Sequence, residues 1–560
     1  MPGLIGFTDT HHKYNSGMLL NMRNILKHFD SYVDEELYSD KNIYASRTHL
    51  GVINQCNQPY ISNKRFFSWM EGEFYNKEKL KAKYEIGSEN DNALLVDIYN
   101  KTMSFDFLRD VDGCYAAVIY DKKEDTVNLI TDRYGFKPLY WTVINNNLVW
   151  SSELKGFLGH KDFKINIDRE AVKQFFDIGY LLENRTWFES IELVPPASVI
   201  SFNIKELRVE ITNYWSWNEI KPIKGPVDEG EIADELGRLF KESVRNRISK
   251  NERIGITLSG GLDSRAILAA VPEDYNPLNT FTFGQEGCDD IEIARMAAKI
   301  KGARHHILQL NPTNWLMPRI GGVWKSDASF SLLHMHGIEF YDEYKSYVDF
   351  NLNGIWGDVI GGLYMKIAPT QTEEYTARNR GRRFINQALI LGESWLIHRR
   401  PFASNDLMDF VFSLPKRLRS DSYIYKKMLL STFPKYYNKI PWQKTSCPIS
   451  YPDQVVKLIT FKNRIINKLK REAKRFGLNY ADLHNYTDYP NWIRQEPAKS
   501  FFEKVLLSRN ALYPEYIDRN RVHHYVRVHM ERKANYHNEL CAALTFELWL
   551  QQVFEGKYRE

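Results

Sequence analysis

The sequence lacks features that would place it in several specialised classes of protein. It contains five cysteines among 560 residues, widely separated and with no CxxC pair, so neither a zinc site nor a disulfide framework is indicated. No run of about 18 apolar residues is present, which argues against a transmembrane helix. The first residues, MPGLIGFTDTHHKYN, contain no basic segment followed by a long apolar stretch, so we expect no signal peptide. These absences together predict a cytoplasmic protein.

The chain also lacks a strong excess of charge of either sign. Its 75 Lys and Arg residues against 70 Asp and Glu residues leave a net charge of +5. Over this length, that excess is too small to indicate a nucleic acid as the main partner, and we expect no membrane partner. Hydrophobic residues make up 43% of the chain and charged residues 26%, which is ordinary for a globular protein and predicts two or three domains.

Residues 1–205 are rich in short β-branched and aromatic runs separated by turn residues. These runs are LIGF, YAAVIYD, VNLITD, LYWTVI, LVWSS and SVISFN. Their close spacing predicts antiparallel sheets, with a helix over 92–101. Residues 206–230 become polar and contain Pro and Gly, which predicts a connection between two domains.

Residues 231–560 form the second predicted domain. It begins with a helix over about 231–248, where apolar residues recur near the helical spacing. Strands over 254–258, 280–283 and 306–310 then alternate with helices over 264–271 and 291–301. This order predicts a parallel sheet with right-handed crossovers. From about residue 326 the pattern is mostly helical.

The segment 457–477, KLITFKNRIINKLKREAKRFG, is basic and amphipathic. It suits a surface for an acidic partner or a membrane. It equally suits a solvated helix on a large protein, and this is the interpretation we favour because most charge runs are solvated faces.

The strongest chemical signal is the segment Ser259–Ser264, SGGLDS, which follows a buried strand and opens a helix. Such a turn presents backbone N–H groups beside a helix N-terminus, and glycines let the backbone approach a phosphate closely. Asp263 is out of place in an anion site unless Mg²⁺ lies between its carboxylate and the phosphates. No GxxxxGK[ST] pattern is present, so the turn is not a Walker A loop.

Several segments together resemble one enzyme family. SGGLDS after an apolar strand resembles the signature of the PP-loop ATP pyrophosphatases, which form AMP and pyrophosphate while activating a carboxylate. DGCYAAVIYD (112–121), TDRYGFKPLYW (131–141) and VWSSELKGFL (149–158) resemble the glutamine amidotransferase half of the asparagine synthetase B family. RRPFASNDLMDFVFSLP (399–415) and PWQKTSCP (441–448) resemble its synthetase half. The resemblance is weakest over about 455–535.

The resemblance implies an α/β protein with two domains. Residues 1–205 would form an Ntn-hydrolase-like αββα sandwich of the type 2 glutamine amidotransferases. Residues 231–560 would form a PP-loop α/β domain with a parallel sheet and a helical extension. The implied cofactors are ATP and Mg²⁺. Because family members often form dimers, a homodimer is one expected assembly.

The resemblance also implies the residues of an ATP site, carried over position by position. The implied catalytic residues are Lys444 and Asp263, and the implied metal ligands are Asp263 and Asp358. The segment 354–362, GIWGDVIGG, supplies Asp358 at the place of the family's second acid. The residues implied to bind ATP or pyrophosphate are Leu258, Ser259, Gly260, Gly261, Asp263, Ser264, Phe283 and Gly354.

The chain departs from the family in its glutaminase motifs. The family's nucleophilic cysteine at position 2 is Pro2 here, and a proline has no thiol with which to form an acyl-enzyme. The Asn-Gly-Glu motif that binds glutamine reads Glu71-Gly72-Glu73. We therefore expect no glutaminase activity. The remaining glutamine-site positions, which we interpret as relics or structural residues, are Arg47, Gly72, Glu73 and Asp91.

A second departure lies in the expected acceptor pocket. Two positions that are acidic or polar in relatives are Ile355 and Ile397 here, so we expect an apolar pocket in which Trp356 supplies a flat wall. Glu393 would replace the lost acid only if its helix shifted in register. The pair His305-His306, at the start of a strand, we interpret as structural.

These features predict an ATP-dependent carboxylate–amine ligase that adenylates a carboxylate and forms an amide. Its substrates would be small-molecule or peptide carboxylates and amines, and asparagine remains open as a product. One alternative is a specialised amide- or ring-forming ligase, like the β-lactam synthetases and lasso-peptide cyclases. Another is a non-catalytic relative that keeps only ATP binding, although the intact SGGLDS, Asp358 and Lys444 argue against it.

Overall fold

The computed structural model describes residues 1–367, 370–475 and 483–559. The N-terminal part contains two antiparallel sheets. Its strands are β1 (Gly3–Thr8), β2 (Val33–Asp34), β3 (Tyr38–Ser39), β4 (Ile43–His49), β5 (Tyr60–Ser62), β6 (Phe66–Phe74), β7 (Gly113–Asp121), β8 (Thr126–Thr131), β9 (Tyr140–Ile144), β10 (Asn147–Ser151), β11 (Glu192–Leu193), β12 (Ser198–Asn203) and β13 (Arg208–Asn213). Its helices are α1 (Ser16–Leu26), α2 (Lys77–Tyr84), α3 (Asp91–Thr102) and α4 (Arg169–Ile178).

The two antiparallel sheets pack face to face. One has the strand order β11-β9-β10-β1-β4-β2, with β3 also paired to β4, and the other has the order β13-β12-β8-β7-β6-β5. Buried residues of both sheets, such as Trp69 of β6 and Trp150 of β10, share one apolar core. Helix α1 packs on the first sheet and α3 on the second. The predicted αββα sandwich is therefore confirmed.

The second sheet extends into the segment predicted to be a connection. Strand β13 pairs with β12 from Arg208 to Asn213, so residues 206–230 are not connection throughout. Most residues of β13 are exposed, as expected for an edge strand whose charged side chains discourage further pairing. That polarity is why the sequence gives no strand signal there. The next helix begins at Glu229.

The C-terminal part contains a parallel sheet of five strands and many helices. The strands are β14 (Ile254–Thr257), β15 (Asn279–Gly284), β16 (Arg304–Gln309), β17 (Phe350–Leu352) and β18 (Ile397–Arg399). The helices are α5 (Glu229–Asn246), α6 (Asp263–Ala270), α7 (Asp289–Lys301), α8 (Met317–Lys325), α9 (Tyr341–Tyr347), α10 (Gly357–Ile360), α11 (Leu363–Ile367), α12 (Glu373–Thr376), α13 (Asn386–Gly392), α14 (Asn405–Ser413), α15 (Lys416–Arg419), α16 (Tyr423–Thr432), α17 (Pro434–Tyr437), α18 (Asp453–Arg475), α19 (Tyr489–Trp492), α20 (Ala498–Leu506), α21 (Arg519–Met530) and α22 (His537–Phe554). A π-helix spans Ala377–Ile385.

The parallel sheet has the strand order β16-β15-β14-β17-β18, and every neighbouring pair is parallel. This confirms the predicted α/β class. The three predicted strands are β14, β15 and β16, whereas β17 and β18 lie in the region that we expected to be mostly helical. Each of these two strands has three residues, which is too short for a periodic signal.

The basic segment 457–477 lies within α18 up to Arg475, and residues 476 and 477 are outside the described residues. Two of its apolar side chains, Leu458 and Phe461, are 70% and 63% exposed. Among the described residues, no helix is both long and apolar enough to cross a membrane.

Candidate ATP site

The predicted phosphate turn lies at the C-terminal end of β14, the central strand of the parallel sheet. Ser259 N–H donates to Oγ of Ser264 at 3.0 Å, and Gly261 N–H donates to Oγ of Ser259 at 3.2 Å. Gly260 N–H donates to Oδ1 of Asp290, at the start of α7, at 2.8 Å. Helix α6 begins directly after the turn, at Asp263. The turn is therefore a pre-shaped backbone loop at the sheet edge where parallel sheets bind ligands.

The loop that follows β17 packs directly onto this turn. A β-carbon on Gly354 would lie 2.9 Å from the backbone nitrogen of Ser264, and one on Gly357 would lie 2.3 Å from Cγ of Asp263. Both positions therefore require glycine, because any side chain would collide with α6. Since β14 and β17 are neighbours, the two loops meet at one edge of the sheet and bring Asp358 towards Asp263.

The two acids affect each other electrostatically. Burial, and after it the charge of Asp358, raises the pKa of Asp263 to about 7, although the Tyr425 hydroxyl donates to Oδ1 of Asp263 at 2.8 Å. Burial also raises the pKa of Asp358, while the charge of Arg380 opposes that rise. A second carboxylate charge that acts on the Asp263 carboxyl is unfavourable without a cation, so the placement of the two acids fits a bound divalent ion.

Carboxylate oxygens are the donors that Mg²⁺ prefers, and Asp263 and Asp358 are the residues that would hold it. Among the described residues, no group of three or more His, Cys, Asp or Glu side chains is placed to hold a metal. The remaining ligands would therefore be phosphate oxygens and water, which is the usual situation for Mg²⁺ bound with a nucleotide.

Three more of the residues that the resemblance implies to bind ATP, namely Leu258, Phe283 and Gly354, lie along the same edge. Leu258 is buried, its N–H donates to the Phe281 carbonyl at 2.8 Å, and its own carbonyl accepts from Oγ1 of Thr282 at 2.6 Å. Phe283 lies near the end of β15, with its ring centroid 6.0 Å from that of Tyr486. Leu258, Phe283 and Gly354 therefore come from three adjacent strands.

Lys444 lies on a loop that contacts the turn. Its neighbour Gln443 donates its N–H to the Gly260 carbonyl at 3.2 Å. The Lys444 side chain is exposed, with its ammonium 5.2 Å from the Trp442 ring centre, and it forms no hydrogen bond or ion pair with the described residues. A free cation beside the turn is suited to binding an anionic ligand.

Sequence reasoning missed three residues of this region. Tyr425 donates to Asp263, Asp290 anchors Gly260, and Arg380 acts on Asp358. Tyr425 and Asp290 gave no signal, because each reaches the site only through the packing of its helix. The arginine-rich run at 378–383 was a visible signal for Arg380.

In the N-terminal part, all three guanidinium nitrogens of Arg47, a predicted glutamine-site residue, donate hydrogen bonds to other residues of the chain. Its Nε donates to Oε2 of Glu71 at 3.0 Å, and its Nη1 donates to Oε1 of Glu35 at 3.1 Å. It also donates to the carbonyls of Asn54 and Ile53. Arg47 is 0% exposed. Glu71, which replaces the family's asparagine, therefore neutralises the cation that would hold a glutamine carboxylate.

The other three of these positions also make contacts within the protein. Glu73 forms a two-bond ion pair with Arg399 of β18, at 2.8 and 2.7 Å. Asp91 accepts from the Phe74 N–H at 3.2 Å and pairs with Lys77 at 3.2 Å. Gly72 has φ +120, and a β-carbon there would lie 2.1 Å from the Cys114 carbonyl oxygen.

The structure corrects the expectation about Trp356 and shows which partners Glu393 has. Trp356 is buried, and its ring packs edge-on against Tyr134 at 5.0 Å and Phe136 at 4.9 Å, so it does not form an open wall. Glu393 is not in the pocket, because its carboxylate pairs with Lys137 at 2.7 Å and Arg400 at 3.0 Å. Burial alone would raise the pKa of Glu393, but these two cations hold it below its ordinary value.

The two isoleucines do share an apolar environment. Ile355 and Ile397 are 7% and 4% exposed and belong to one core cluster. The histidine pair lies on β16, where His305 bonds to Thr280 at 2.9 Å and His306 to Asn279 at 3.0 Å, in keeping with a structural role.

The fold defines a protein that joins an amidotransferase-type sandwich to a parallel α/β domain with a Ser-Gly-Gly turn at the ligand-binding edge of its sheet. A sequence model of the glutamine amidotransferase domain matches residues 1–215, and one of asparagine synthase matches residues 235–327. Curated asparagine synthetases also align with both parts. Together these matches support the assignment of the chain to the asparagine synthetase family.

Two of these relatives show the degree of similarity. A putative asparagine synthetase [glutamine-hydrolyzing] 2 of Methanocaldococcus jannaschii is 27% identical over 310 residues, covering 52% of this chain and 58% of the relative. Asparagine synthetase [glutamine-hydrolyzing] 1 of Bacillus subtilis is 25% identical over 385 residues, covering 64% of this chain and 59% of the relative. The chain thus spans less than two thirds of the length of these relatives.

Proposed function

We propose that this protein is an ATP-dependent ligase that joins a carboxylate to an amine. The observation that carries the proposal is the meeting of Asp263 and Asp358 beside the Ser-Gly-Gly turn, at the ligand-binding edge of the parallel sheet. A pair of half-buried acids next to this turn is unfavourable by itself and becomes favourable when Mg²⁺ and phosphates bind between them.

The reaction has two steps. A carboxylate oxygen attacks the α-phosphorus of ATP, the bond to the bridging oxygen breaks, and pyrophosphate leaves with that electron pair. An amine nitrogen then attacks the acyl carbon, AMP leaves, and the nitrogen loses a proton to give the amide. Mg²⁺ would neutralise part of the charge on the departing pyrophosphate. The turn would border the phosphates, and Lys444 would supply a positive charge beside them.

We further propose that the N-terminal part does not hydrolyse glutamine. Pro2 supplies no thiol, and Arg47 has no free donor with which to bind a glutamine carboxylate, because Glu71 and Glu35 occupy it. The nitrogen donor is then free ammonia or an amine on another substrate. In this arrangement the sandwich supports the synthetase part, for example through the Glu73–Arg399 ion pair.

The second candidate is a specialised ligase whose acceptor is larger or less charged than aspartate. Ile355 and Ile397 favour it, because neither offers a charge to an aspartate side chain or a proton acceptor to an attacking amine. Glu393, the one nearby acid that we considered as a replacement, is committed to Lys137 and Arg400.

Pyrophosphate release from Mg·ATP tests the proposed ligase activity. The protein is incubated with Mg·ATP, an ammonium salt and a panel of carboxylates, with Asp263→Asn as the matched control. We expect release that depends on the carboxylate and disappears in the control. Release of phosphate with ADP, or no carboxylate-dependent reaction while ATP still binds, would contradict the proposal and favour a non-catalytic ATP-binding protein.

A further inference from the structure

The π-helix Ala377–Ile385 carries four arginines, and three of them have structural partners. Arg378 pairs with Glu183 at 3.5 Å and with Glu374 at 3.8 Å. Arg382 and Arg383 donate to backbone carbonyls of the N-terminal part, Arg382 to Gly135 at 3.0 Å and Arg383 to Arg185 at 2.6 Å. These three side chains hold the helix against the sandwich.

Arg380 differs from its neighbours. Among the described residues it has no hydrogen-bond or ion-pair partner. Its Nε, like that of Arg378, is buried without an acceptor. Its guanidinium lies over the Phe384 ring, 5.4 Å from the ring centre. A partly buried guanidinium without an acceptor has lost hydration that no protein group replaces, which is unfavourable unless a ligand supplies the acceptor.

The packing of the π-helix places Arg380 near Asp358, the acid of the loop that follows β17. The next residue, Gly381, packs closely against the side chains of Trp356 and Tyr364. A β-carbon on Gly381 would lie 2.9 Å from Nε1 of Trp356 and 2.8 Å from the hydroxyl of Tyr364. Trp356 and Tyr364 flank Asp358 in the sequence. The Arg380 charge also acts on the carboxyl of Asp358, yet the two groups do not form an ion pair.

The π-helix changes the directions in which its arginine side chains point. One extra residue per turn shifts the direction of side chains relative to an α-helix, and such insertions are common at functional sites. Arg378, two residues earlier, and Arg382, two residues later, point to protein partners. Arg380 instead lies over the Phe384 ring.

Resting on the proposed ligase function, we propose that Arg380 is a phosphate-binding residue of the ATP site. Its guanidinium offers paired N–H donors that match two oxygens of one phosphate. It lies on the Asp358 side of the site, whereas Lys444 lies on the side of the Ser-Gly-Gly turn. The pyrophosphate portion of ATP would then lie between two cations, with Mg²⁺ held by the acids.

Calorimetric titration of Mg·ATP, Mg·pyrophosphate and AMP tests this assignment. The variants are Arg380→Gln, Arg380→Lys and, as a matched control on the same helix, Arg378→Gln. For Arg380→Gln we expect Kd for Mg·ATP and Mg·pyrophosphate to rise about 10- to 100-fold, the range expected for loss of a charge-assisted hydrogen bond, and Kd for AMP to change much less. Arg380→Lys should recover part of the loss, and Arg378→Gln should bind like the wild type.

Equal affinity of wild type and Arg380→Gln for Mg·pyrophosphate would overturn the assignment and leave the ligase proposal intact. An equal loss for AMP and Mg·pyrophosphate would overturn it as well, because it would indicate a general disturbance of the site. Unchanged thermal unfolding midpoints establish that each variant is folded. If the wild type itself bound no Mg·ATP, both this assignment and the proposed function would fail.

Discussion

The carboxyl group of Asp263 lies against the backbone of Gly357, with no space for even a methyl group between them: a β-carbon on Gly357 would be 2.3 Å from Cγ of Asp263. This contact joins the loops after β14 and β17 and fixes the relative position of the two acids. The candidate ATP site therefore depends on a residue that has no side chain.

The first prediction concerns Gly357→Ala. The new methyl group must displace Asp263, so we expect ATP–pyrophosphate exchange to fall about 100-fold, the order of loss caused by a misplacement of about 1 Å. Gly87→Ala is the control, because a β-carbon at Gly87 meets nothing within 4 Å. Exchange at the wild-type rate in a folded Gly357→Ala variant would refute the close packing of the two loops.

The second prediction concerns Asp263→Asn and Asp358→Asn. Each should abolish ATP–pyrophosphate exchange, because removing one carboxylate of a metal site costs several kcal/mol in the transition state. Because burial raises the pKa of both acids, the neutral amides should leave the thermal unfolding midpoint unchanged or higher. A large fall in the midpoint would instead assign these acids a structural role.

The third prediction concerns the nitrogen donor. Glutamate release from glutamine should remain at background for the wild type and for Glu71→Asn, since restoring the family's asparagine frees Arg47 from one partner but supplies no nucleophile. Asp406→Asn, at an exposed carboxylate, is a suitable control. Hydrolysis at the rate of a true glutaminase would show that another group performs the attack.

The fourth prediction concerns the dependence of stability on pH. Burial lowers the pKa of His398 to about 3, so the folded state resists a protonation that the unfolded chain undergoes near pH 6.5. The stability from this group is present above pH 6.5 and is lost as the pH falls, by about 2 kcal/mol at pH 5. Wild type should therefore lose more of its thermal midpoint between pH 7 and pH 5 than His398→Gln. Equal losses would mean that His398 is protonated in the fold.

The fifth prediction concerns the acceptor. With Ile355 and Ile397 in one apolar cluster, aspartate with glutamine should be a poor substrate pair, and aspartate with ammonia should react slowly. Carboxylates with larger or less charged bodies should release pyrophosphate faster at equal concentration. Efficient formation of asparagine would contradict this prediction and indicate the activity for which its relatives are named.

The sequence predicted the parts of the fold that carry strong local patterns. Strand β14 and helix α6 could be placed because an apolar run leads into SGGLDS, and the antiparallel sandwich because its strands are short and closely spaced. Strands β17 and β18 were missed because three residues give no periodicity, and β13 because an exposed edge strand is polar.

The candidate site was predicted where its residues are consecutive and missed where they meet only in space. The sequence predicts that Ser259, Gly260 and Asp263 belong to the site because all three lie in one motif. Arg380 could be identified only after the structure revealed that its three neighbours have partners and it has none. The partners of Glu393 could not be predicted from the sequence either. Glu393 pairs with Lys137 and Arg400, and tertiary packing sets the positions of both.

Transfer of oxygen-18 from the carboxylate substrate to AMP is the most direct test of the central claim. A carboxylate that supports pyrophosphate release is labelled with oxygen-18 in both oxygens, converted with Mg·ATP and an amine, and the AMP is analysed by mass spectrometry. If the carboxylate attacks the α-phosphorus, each AMP formed should carry one labelled oxygen. Label recovered in inorganic phosphate with formation of ADP, or AMP without label, would contradict the account.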